Sequence, residues 1–369
     1  MEATINKKLT RREFAFLAFF LPLFSLKLLN IASSSWLLAV VAAGSFGLFV
    51  CYMQQERYTR SQMRFFAVLL VYSAVLIFTC GKQGAFFSIF MILAMKGIDM
   101  DRKVYKICFV VGAIVLLLAC YQSRNAQETT RYMINGEWEG IVKRSNILYV
   151  SFTAVVSLFL LKNRNTLTKI HIIGIAIAGI LMFRYVGSRS GLIIMVLLIV
   201  MLIAFRSPRT RQSRLIRYAC VASPLMCMAF SIFSGVYYGQ YEFLNIIDMA
   251  LQGRIFQNAQ YMNHYDISIF GQHIYEGTDK GYFWNLDNAY MDMLICEGLI
   301  FAVLWVVITG QVINYMYRKK RMVEVAIIVM YAAYGISETF LPNCFLNVSL
   351  FLYGEAFYSL QASKTNKSW

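Results

Sequence analysis

Two arginines and one aspartate stand between or at the ends of apolar runs, where packing alone explains their charge poorly. Arg189 lies in a short Gly- and Ser-rich turn between two apolar runs, Arg254 follows a glycine in the longest polar stretch, and Asp287 precedes another apolar run. The other basic residues predict that all three lie on the outer face of a membrane. Because Lys and Arg normally concentrate on the cytosolic face, arginines here indicate a function, and an anionic ligand suits a guanidinium best.

The turn around Arg189 has the composition of an anion-binding site. Gly187 and Gly191 let the backbone turn tightly, and Ser190 is placed to cap the following helix. The amides at that helix N-terminus then face the same point as the guanidinium, which favours an anion. An arginine at a helix end also reaches lipid headgroup phosphates, and the sequence does not separate the two interpretations.

Arg254 and two further basic residues have other interpretations beside anion binding. Taken alone, Arg254 is best explained by a salt bridge to a loop carboxylate such as Asp248 or Asp266, because surface ion pairs are frequent. Arg184 lies deeper in its apolar run, where an intramembrane ion pair is the favoured interpretation. Lys82 lies at the predicted tip of a tight hairpin between two short apolar runs.

Carboxylates cluster at the start of a late apolar run. Asp287 is a suitable helix N-cap, which is its structural interpretation. Asn288 and Asp292 are one helical turn apart, and Asp292 and Glu297 lie within an otherwise apolar predicted helix. Carboxylates in such positions face a cavity or a basic partner, so they are candidate site residues, with the basic residues above as partners. Glu338, near the outer end of a later run, is a second-tier candidate of the same kind.

No metal and no cofactor are expected. His264 and His273 have no third ligand at metal-binding spacing, and the eight cysteines contain no CxxC pair. The chain also lacks the glycine-rich phosphate loops and the nucleophile and metalloprotease motifs that are typical of ATP-using enzymes and hydrolases.

The composition is that of an integral membrane protein. Hydrophobic residues make up 59% and charged residues 15% of the chain, which is too apolar for a water-soluble surface. The net charge of +16 is spread over separate short loops, without a nucleic-acid-binding motif, so no nucleic-acid partner is expected. Apolar runs predict an all-α, polytopic fold of about twelve transmembrane helices. These runs are 13–31, 34–53, 65–80, 83–97, 106–122, 146–161, 170–187, 190–206, 216–235, 288–317, 323–340 and 344–362.

The basic loops orient this predicted bundle. Most of the 35 Lys and Arg residues lie in the termini and in alternate loops, which predicts that those parts are cytosolic. An even number of spans places both termini on that side. No internal repeat or flexible linker divides the chain, so residues 1–369 form a single predicted transmembrane domain.

Two predicted outer loops are long. The first is 123–145, and the second is 236–287, between the ninth and tenth helices. The second loop is acidic and rich in aromatic residues, Trp284 among them; a membrane-interface belt is favoured over stacking on sugar rings. Within it, the segment from Glu242 to Asn263 has the apolar spacing of an amphipathic helix that lies on the bilayer surface.

These features together resemble the O-antigen and capsular polysaccharide polymerases (Wzy-type), within the superfamily that includes the O-antigen ligases. The resemblance is carried by the Gly-Ser-Arg-Ser-Gly turn at 187–191, the Gly-Arg pair at 253–254, and Asp-Asn-Ala-Tyr at 287–290 with Glu-Gly at 297–298. The layout with one dominant late outer loop is similar too. The resemblance implies a multi-span glycosyltransferase in the bacterial cytoplasmic (inner) membrane that joins undecaprenyl-pyrophosphate-linked repeat units into capsule, O-antigen or exopolysaccharide.

The resemblance also implies roles for the candidate residues. Arginines replace a metal in this family, so Arg189 and Arg254 are expected to bind the pyrophosphate, because guanidiniums stabilise its developing charge. The expected helpers in that binding are Lys82 and Arg184. Asp287 is the first candidate for the base that assists the acceptor hydroxyl, and Glu297 is the second. Contacts to the acceptor and its sugars are expected from Asn288, Tyr290, Asp292 and Trp284.

The chain departs from the ligase branch, which has a histidine where this chain has Asp287. This difference favours a polymerase over ligase-type transfer to a final acceptor, which remains the alternative within enzymes. A transporter or flippase of lipid-linked sugars is the alternative from another class, although no repeat between halves is visible. The expected partners are the membrane lipids and the lipid-linked oligosaccharide, which is both donor and acceptor. A chain-length regulator and a flippase are further candidate partners.

Overall fold

The computed structural model describes residues 9–30, 44–45, 47, 58–125, 130–134, 137–142, 146–274 and 286–365. The predicted span 34–53 lies almost entirely outside these ranges, as does Trp284. The helices are α1 (Arg11–Leu28), α2 (Arg60–Cys80), α3 (Gly84–Ala94), α4 (Tyr105–Asn125), α5 (Ile147–Lys162), α6 (Lys169–Val186), α7 (Arg189–Ala204), α8 (Pro208–Gln212), α9 (Arg214–Val236), α10 (Glu242–Leu251), α11 (Arg254–His264), α12 (Ala289–Asp292), α13 (Leu299–Arg318), α14 (Met322–Tyr334) and α15 (Leu350–Thr365).

Three short elements complete the described architecture. A π-helical turn, Met100–Val104, precedes α4, and a second one, Met293–Glu297, follows α12. In the predicted outer loop 123–145, strands β1 (Thr130–Ile134) and β2 (Glu137–Val142) pair antiparallel. The protein is therefore helical apart from one β-hairpin within the described residues.

Five helices of the described part are long and apolar enough to cross a membrane: α2, α4, α6, α9 and α13. Their outward faces carry large apolar side chains, such as Phe78, which is 89% exposed, and Leu117 and Ile170. A surface this apolar is not stable in water but suits lipid. The predicted membrane character of the chain is confirmed by these helices.

The core lies between these outer helices. Nearly every residue of α5 and α14 is buried, which is the expected state of a helix that is apolar on all sides. Phenylalanines from α1 and α15 interlock beside them, with the ring of Phe20 lying 5.0 Å from that of Phe24 and 4.9 Å from that of Phe351. Such edge-to-face and stacked pairs add to the free energy of apolar burial.

The predicted hairpin around Lys82 is confirmed in outline. Helix α2 ends at Gly81, whose φ of 71° closes the helix in the left-handed conformation that favours glycine. Helix α3 begins at Gly84 and has 11 residues. At 1.5 Å per residue it extends only about 17 Å, roughly half the thickness of a bilayer core.

The prediction of one continuous helix over 288–317 is wrong. The chain forms α12, then the π-helical turn, and breaks at Gly298 (φ 94°) before α13 begins. The reason is tertiary: the backbone of the preceding loop docks at the break, where Leu299 N donates to Ser268 O (2.9 Å) and Gln272 N donates to Cys296 O (2.8 Å). Local apolar spacing does not report such a contact.

The predicted single helix from Glu242 to Asn263 is also divided. Helices α10 and α11 are separated by Gln252 (φ 60°) and Gly253 (φ 83°), two consecutive left-handed residues that turn the chain. The two helices pack on different neighbours, α10 on α7 and α11 on α9. The turn between them places Arg254 at the first position of α11.

Candidate functional site

The start of α11 presents Arg254 toward the protein interior. Gly253 is the N-cap residue, and Asp248 of α10 accepts hydrogen bonds from the α11 amides of Ile255 (2.7 Å) and Phe256 (3.3 Å). Asp248 therefore caps α11 across the turn and satisfies two amides that lack partners within the helix. This cap fixes the direction in which the helix, and with it Arg254, enters the core.

Arg254 lies between two carboxylates, an arrangement we call the Arg254 cluster. Its Nη1 is 2.5 Å from Asp287 Oδ2, and its Nη2 is 3.7 Å from Glu338 Oε1. The side chains are 11% exposed for Arg254, 27% for Asp287 and 12% for Glu338. Three separate parts of the chain thus meet at one guanidinium: α11, the residue that precedes the N-cap of α12, and the segment after α14.

The predicted salt bridge of Arg254 to a carboxylate of the large loop is confirmed, but the partner is Asp287, at the end of that loop, and not Asp248 or Asp266. Asp248 is occupied with the amides of α11, and among the described residues the ion pairs of Arg254 are made by Asp287 and Glu338. Asp248 or Asp266 was expected because surface ion pairs are frequent. Burial of the guanidinium changes this choice, because a buried charge needs partners that arrive from other elements.

One cation facing two carboxylates leaves one acid in excess. Burial raises the pKa of Glu338 to about 8; the Arg254 guanidinium lowers it in part, and the Asp287 carboxylate adds to the rise. Asp287 is the acid with the short contact to Arg254 and the greater exposure. Burial also raises the pKa of Asp287, although the Arg254 guanidinium opposes the rise. The two carboxyl groups therefore titrate as a pair, and the short contact with Arg254 favours the charged form of Asp287 over that of Glu338.

The start of α12 is capped by Asn288, where the sequence favoured Asp287. Asn288 Oδ1 accepts from the amides of Tyr290 (3.0 Å) and Met291 (3.1 Å), and its Nδ2 donates to Ser231 Oγ of α9 (3.0 Å). Because Asn288 satisfies the helix amides, the Asp287 side chain is free to turn toward Arg254. Ser231, which the sequence did not single out, helps to fix this arrangement.

Of the residues predicted to contact the acceptor, those that the structure describes lie in the interior. Tyr290 is fully buried and donates to Ala332 O (2.8 Å), and Asn288 is buried as the cap. Both have structural contacts in the described protein, and their role in sugar binding stays a prediction. Asp292 is also buried and pairs with Lys82, and Trp284, the fourth such residue, lies outside the described residues.

A second group of charges, the Lys82 cluster, surrounds the π-helical turn. Lys82 Nζ is 3.2 Å from Asp292 Oδ1, and Cys296 Sγ donates to the same oxygen (2.9 Å). Glu297 is 2% exposed, and its Oε2 makes no hydrogen bond with the described residues. The expected pairing of Lys82 with a carboxylate of this segment is confirmed, and it brings the α2–α3 hairpin against the break before α13.

Arg189 lies at the start of α7 and remains exposed. Ser188, not Ser190 as predicted, is the N-cap, and its Oγ accepts from Gly191 N (3.3 Å). Arg189 Nη1 donates to Met249 O of α10 (3.3 Å). Since α10 leads directly into α11, Arg189 and Arg254 are both attached to the same two-helix unit of the large loop.

Arg184 does not form the predicted intramembrane ion pair with any described residue. Its side chain is exposed in the last turn of α6. A cation at a helix C-terminus interacts favourably with the helix dipole, so this position needs no carboxylate. The prediction failed because α6 turns this face outward, away from the acidic residues.

The fold and these clusters define a helical membrane protein that encloses paired cations and carboxylates among its helices. No family model matches the chain, and no curated protein or solved structure is found to be similar to it. The functional argument therefore depends on the geometry of the clusters and on the residue patterns.

Proposed function

We propose that this protein polymerises undecaprenyl-pyrophosphate-linked oligosaccharide repeat units on the outer face of the bacterial cytoplasmic membrane. In this proposal the chain has about twelve spans with both termini in the cytosol, and the residues of 236–287 form its large outer loop. The observation that carries the proposal is the Arg254 cluster, in which a buried guanidinium at a helix N-terminus faces the carboxyl groups of Asp287 and Glu338.

The two arginines suit a pyrophosphate leaving group. A guanidinium binds phosphate oxygens through two parallel N–H groups, and such bonds strengthen where water is scarce. Arg254 is buried and Arg189 is exposed, yet both contact or belong to the α10–α11 unit. We infer that Arg254 binds the pyrophosphate in the interior and that Arg189 binds it nearer to the lipid headgroups.

The ion pair of Arg254 with Asp287 couples pyrophosphate binding to base catalysis. A pyrophosphate that takes one edge of the Arg254 guanidinium competes with Asp287 for it, and a released Asp287 becomes a stronger proton acceptor. The acceptor hydroxyl oxygen then bonds to the anomeric carbon of the donor as the bond from that carbon to the pyrophosphate oxygen breaks. The hydroxyl proton passes to Asp287, and undecaprenyl pyrophosphate leaves with its charge held by the arginines.

The remaining candidates have supporting roles in this proposal. Glu297 is the alternative base, because it is buried with an oxygen that makes no hydrogen bond with the described residues. Lys82 holds Asp292 beside it. The contacts of Asn288 and Tyr290 support the position of Asp287 more directly than they support sugar binding.

The test is glycan profiling of a deletion strain complemented with wild type, Arg254→Lys or Arg189→Ala, with analysis of lipid-linked intermediates. We expect both variants to abolish polymer while single repeat units persist on their lipid. The lysine of Arg254→Lys cannot reproduce the two parallel contacts of a guanidinium, and Arg189→Ala removes the guanidinium altogether. Arg209→Ala, an exposed arginine of α8, is the matched control and should give normal polymer.

The other outcomes identify the alternatives. Full-length polymer that stays on its lipid in the deletion strain indicates a ligase, and repeat units trapped on the cytosolic leaflet indicate a flippase. Normal polymer from the Arg254 variant, at normal protein level, would overturn the assignment of this site.

A further inference from the structure

A cavity of about 540 Å³ lies at the end of the bundle remote from the Arg254 cluster. It is bounded by the α5–α6 turn, the connection from α7 through α8, and the α13–α14 turn. Helix α7 ends at this cavity and α14 begins there, whereas Arg189 and Glu338 lie at or beyond their opposite ends. The cavity is therefore separate from the candidate site. Its basic lining residues are Arg164, Arg206, Arg211, Lys319, Lys320 and Arg321.

One wall of the cavity is electrically balanced. Glu324, which is buried, accepts from Arg164 Nη1 (2.9 Å) and from Arg321 Nε (2.8 Å). Glu355 of α15 pairs with Arg321, and Asp101 of the first π-helical turn pairs with Arg164. Both arginines are paired with carboxylates, so this wall has no excess positive charge for a ligand.

The other wall is not balanced. Arg206 donates from Nη2 to Leu167 O (3.2 Å), and Arg211 donates from Nε to Phe205 O (2.5 Å). Neither of them, nor Lys319 or Lys320, makes an ion pair with a described residue. Each guanidinium is held in place by a backbone carbonyl and keeps N–H groups for another acceptor.

Lys320 occupies a backbone position that favours glycine. It follows the last residues of α13 with φ of 58°, where its amide donates to Tyr317 O (2.9 Å) and the next amide, Arg321 N, donates to Met316 O (3.0 Å). This is the hydrogen-bond pattern of a helix-ending turn whose left-handed residue is usually glycine. A lysine at this position strains the backbone and brings a charge to the cavity.

We propose that this cavity binds a phosphate-bearing ligand, either the headgroup of an anionic phospholipid or a free phosphate or diphosphate ester. The orientation rule for membrane proteins accounts for basic loops, but not for basic residues from several turns that converge on one cavity with their guanidiniums anchored. Four cations without carboxylates repel one another, and a polyanion removes that repulsion. The volume lies within the range of small-ligand sites.

The test uses the purified full-length protein in detergent with two probes, inorganic pyrophosphate and short-chain phosphatidylglycerol, followed by calorimetry and native mass spectrometry. Arg206→Gln should weaken binding of the active probe by at least about tenfold, since one charged contact is lost. The matched control Arg209→Gln removes an exposed arginine of the neighbouring α8 that does not line the cavity, and it should leave binding unchanged.

Lys320→Gly separates binding from folding. This change removes the charge and relieves the left-handed strain, so the variant should bind the probe more weakly while its Tm stays equal or rises. Binding must also persist in Arg189→Gln, because that residue belongs to the site proposed for polymerisation, on which this inference does not rest.

The probe that binds identifies the source of the phosphate. Binding of pyrophosphate alone indicates a free ester, and binding of the lipid indicates a headgroup; either result supports the cavity as the site if Arg206→Gln and Lys320→Gly weaken it. If neither probe binds, if Arg209→Gln weakens binding as much as Arg206→Gln, or if Arg189→Gln abolishes it, the inference is overturned.

Discussion

A single guanidinium, that of Arg254, decides how the candidate site is charged. It is buried, it contacts Asp287 at 2.5 Å, and Glu338 lies 3.7 Å from its other nitrogen. Removing one partner of such a pair leaves an uncompensated charge in a medium that solvates it poorly. The consequences can be measured separately for the cation and for the excess acid.

Arg254→Met should lower the free energy of unfolding by roughly 2–3 kcal/mol, less than the loss of a fully buried pair because Asp287 is partly exposed. Adding Asp287→Asn should restore part of this loss, since the unpaired anion is then removed. Thermal unfolding of the purified single and double variants measures the coupling. Additive losses would show that the two side chains do not depend on each other.

Glu338 should make stability depend on pH. Its pKa is about 8 in the folded protein, above the ordinary value of 4.5, so the folded state keeps a proton that the unfolded state loses. The stability it contributes is full below pH 4.5 and is lost as the pH rises toward 8, by an amount on the order of a few kcal/mol. Glu338→Gln should flatten this decline in unfolding scans from pH 5 to 9; an unchanged slope would contradict the assignment.

At the scale of elements, two breaks in helices position the charged clusters. Gly298 ends the π-helical turn that carries Glu297, and the Gln252–Gly253 turn places Arg254 at the start of α11. The backbone of the preceding loop contacts the break at Gly298, and the Asp248 side chain caps the helix that follows the second break, so substitutions there should act through the backbone and the cap.

Gly298→Ala should destabilise the protein by more than about 2 kcal/mol, because a left-handed φ of 94° is combined with a Cβ only 2.4 Å from the amide nitrogen of Gly271. The matched control is Gly174→Ala in α6, where a Cβ meets nothing within 4 Å and φ is helical. That change should raise stability by about 0.5–1 kcal/mol. Thermal unfolding should move the two variants in opposite directions, and equal shifts would refute the argument.

Asp248→Ala should remove the cap of α11 at a cost of about 1–2 kcal/mol and reduce polymer formation, because α11 carries Arg254. Asp248→Asn keeps an oxygen acceptor for the same amides and serves as the control, with most of the stability and polymer retained. Unfolding scans and glycan profiles of the two variants provide the comparison. Full polymer from the alanine variant would separate the cap from the function.

At the scale of the whole molecule, the proposed orientation places the two ends of α9 on opposite sides of the membrane. The helix has 23 residues, and its rise of about 35 Å is enough to cross a bilayer core. Arg209 lies before its start and Gln240 after its end, and both are exposed.

A membrane-impermeant maleimide should label Gln240→Cys in intact cells and Arg209→Cys only after permeabilisation. The wild-type chain, with its native cysteines, is the background control for both variants. Labelling of Arg209→Cys alone in intact cells would show that the orientation is the reverse of the proposed one, with the proposed site on the cytosolic side.

The sequence by itself determined the membrane character of the chain and much of its helix layout. Apolar runs of spanning length leave few alternatives, since backbone groups in lipid must be bonded within helices. It also pointed to a carboxylate partner for Arg254 and to a basic partner, Lys82 among the candidates, for Asp292 and Glu297. These signals depend on neighbouring residues in the chain, so they can be recognised without the tertiary structure.

Only the tertiary structure decided which charges meet. Glu338 reaches Arg254 from a segment distant in sequence, Asn288 takes the cap and frees Asp287, and a docked loop breaks the run at Gly298. The basic cavity likewise forms from separate turns, none of which has a distinctive motif. A buried charge selects its partner by the burial and approach of whole elements, and those distances are encoded by the packing of the bundle rather than by any one stretch of residues.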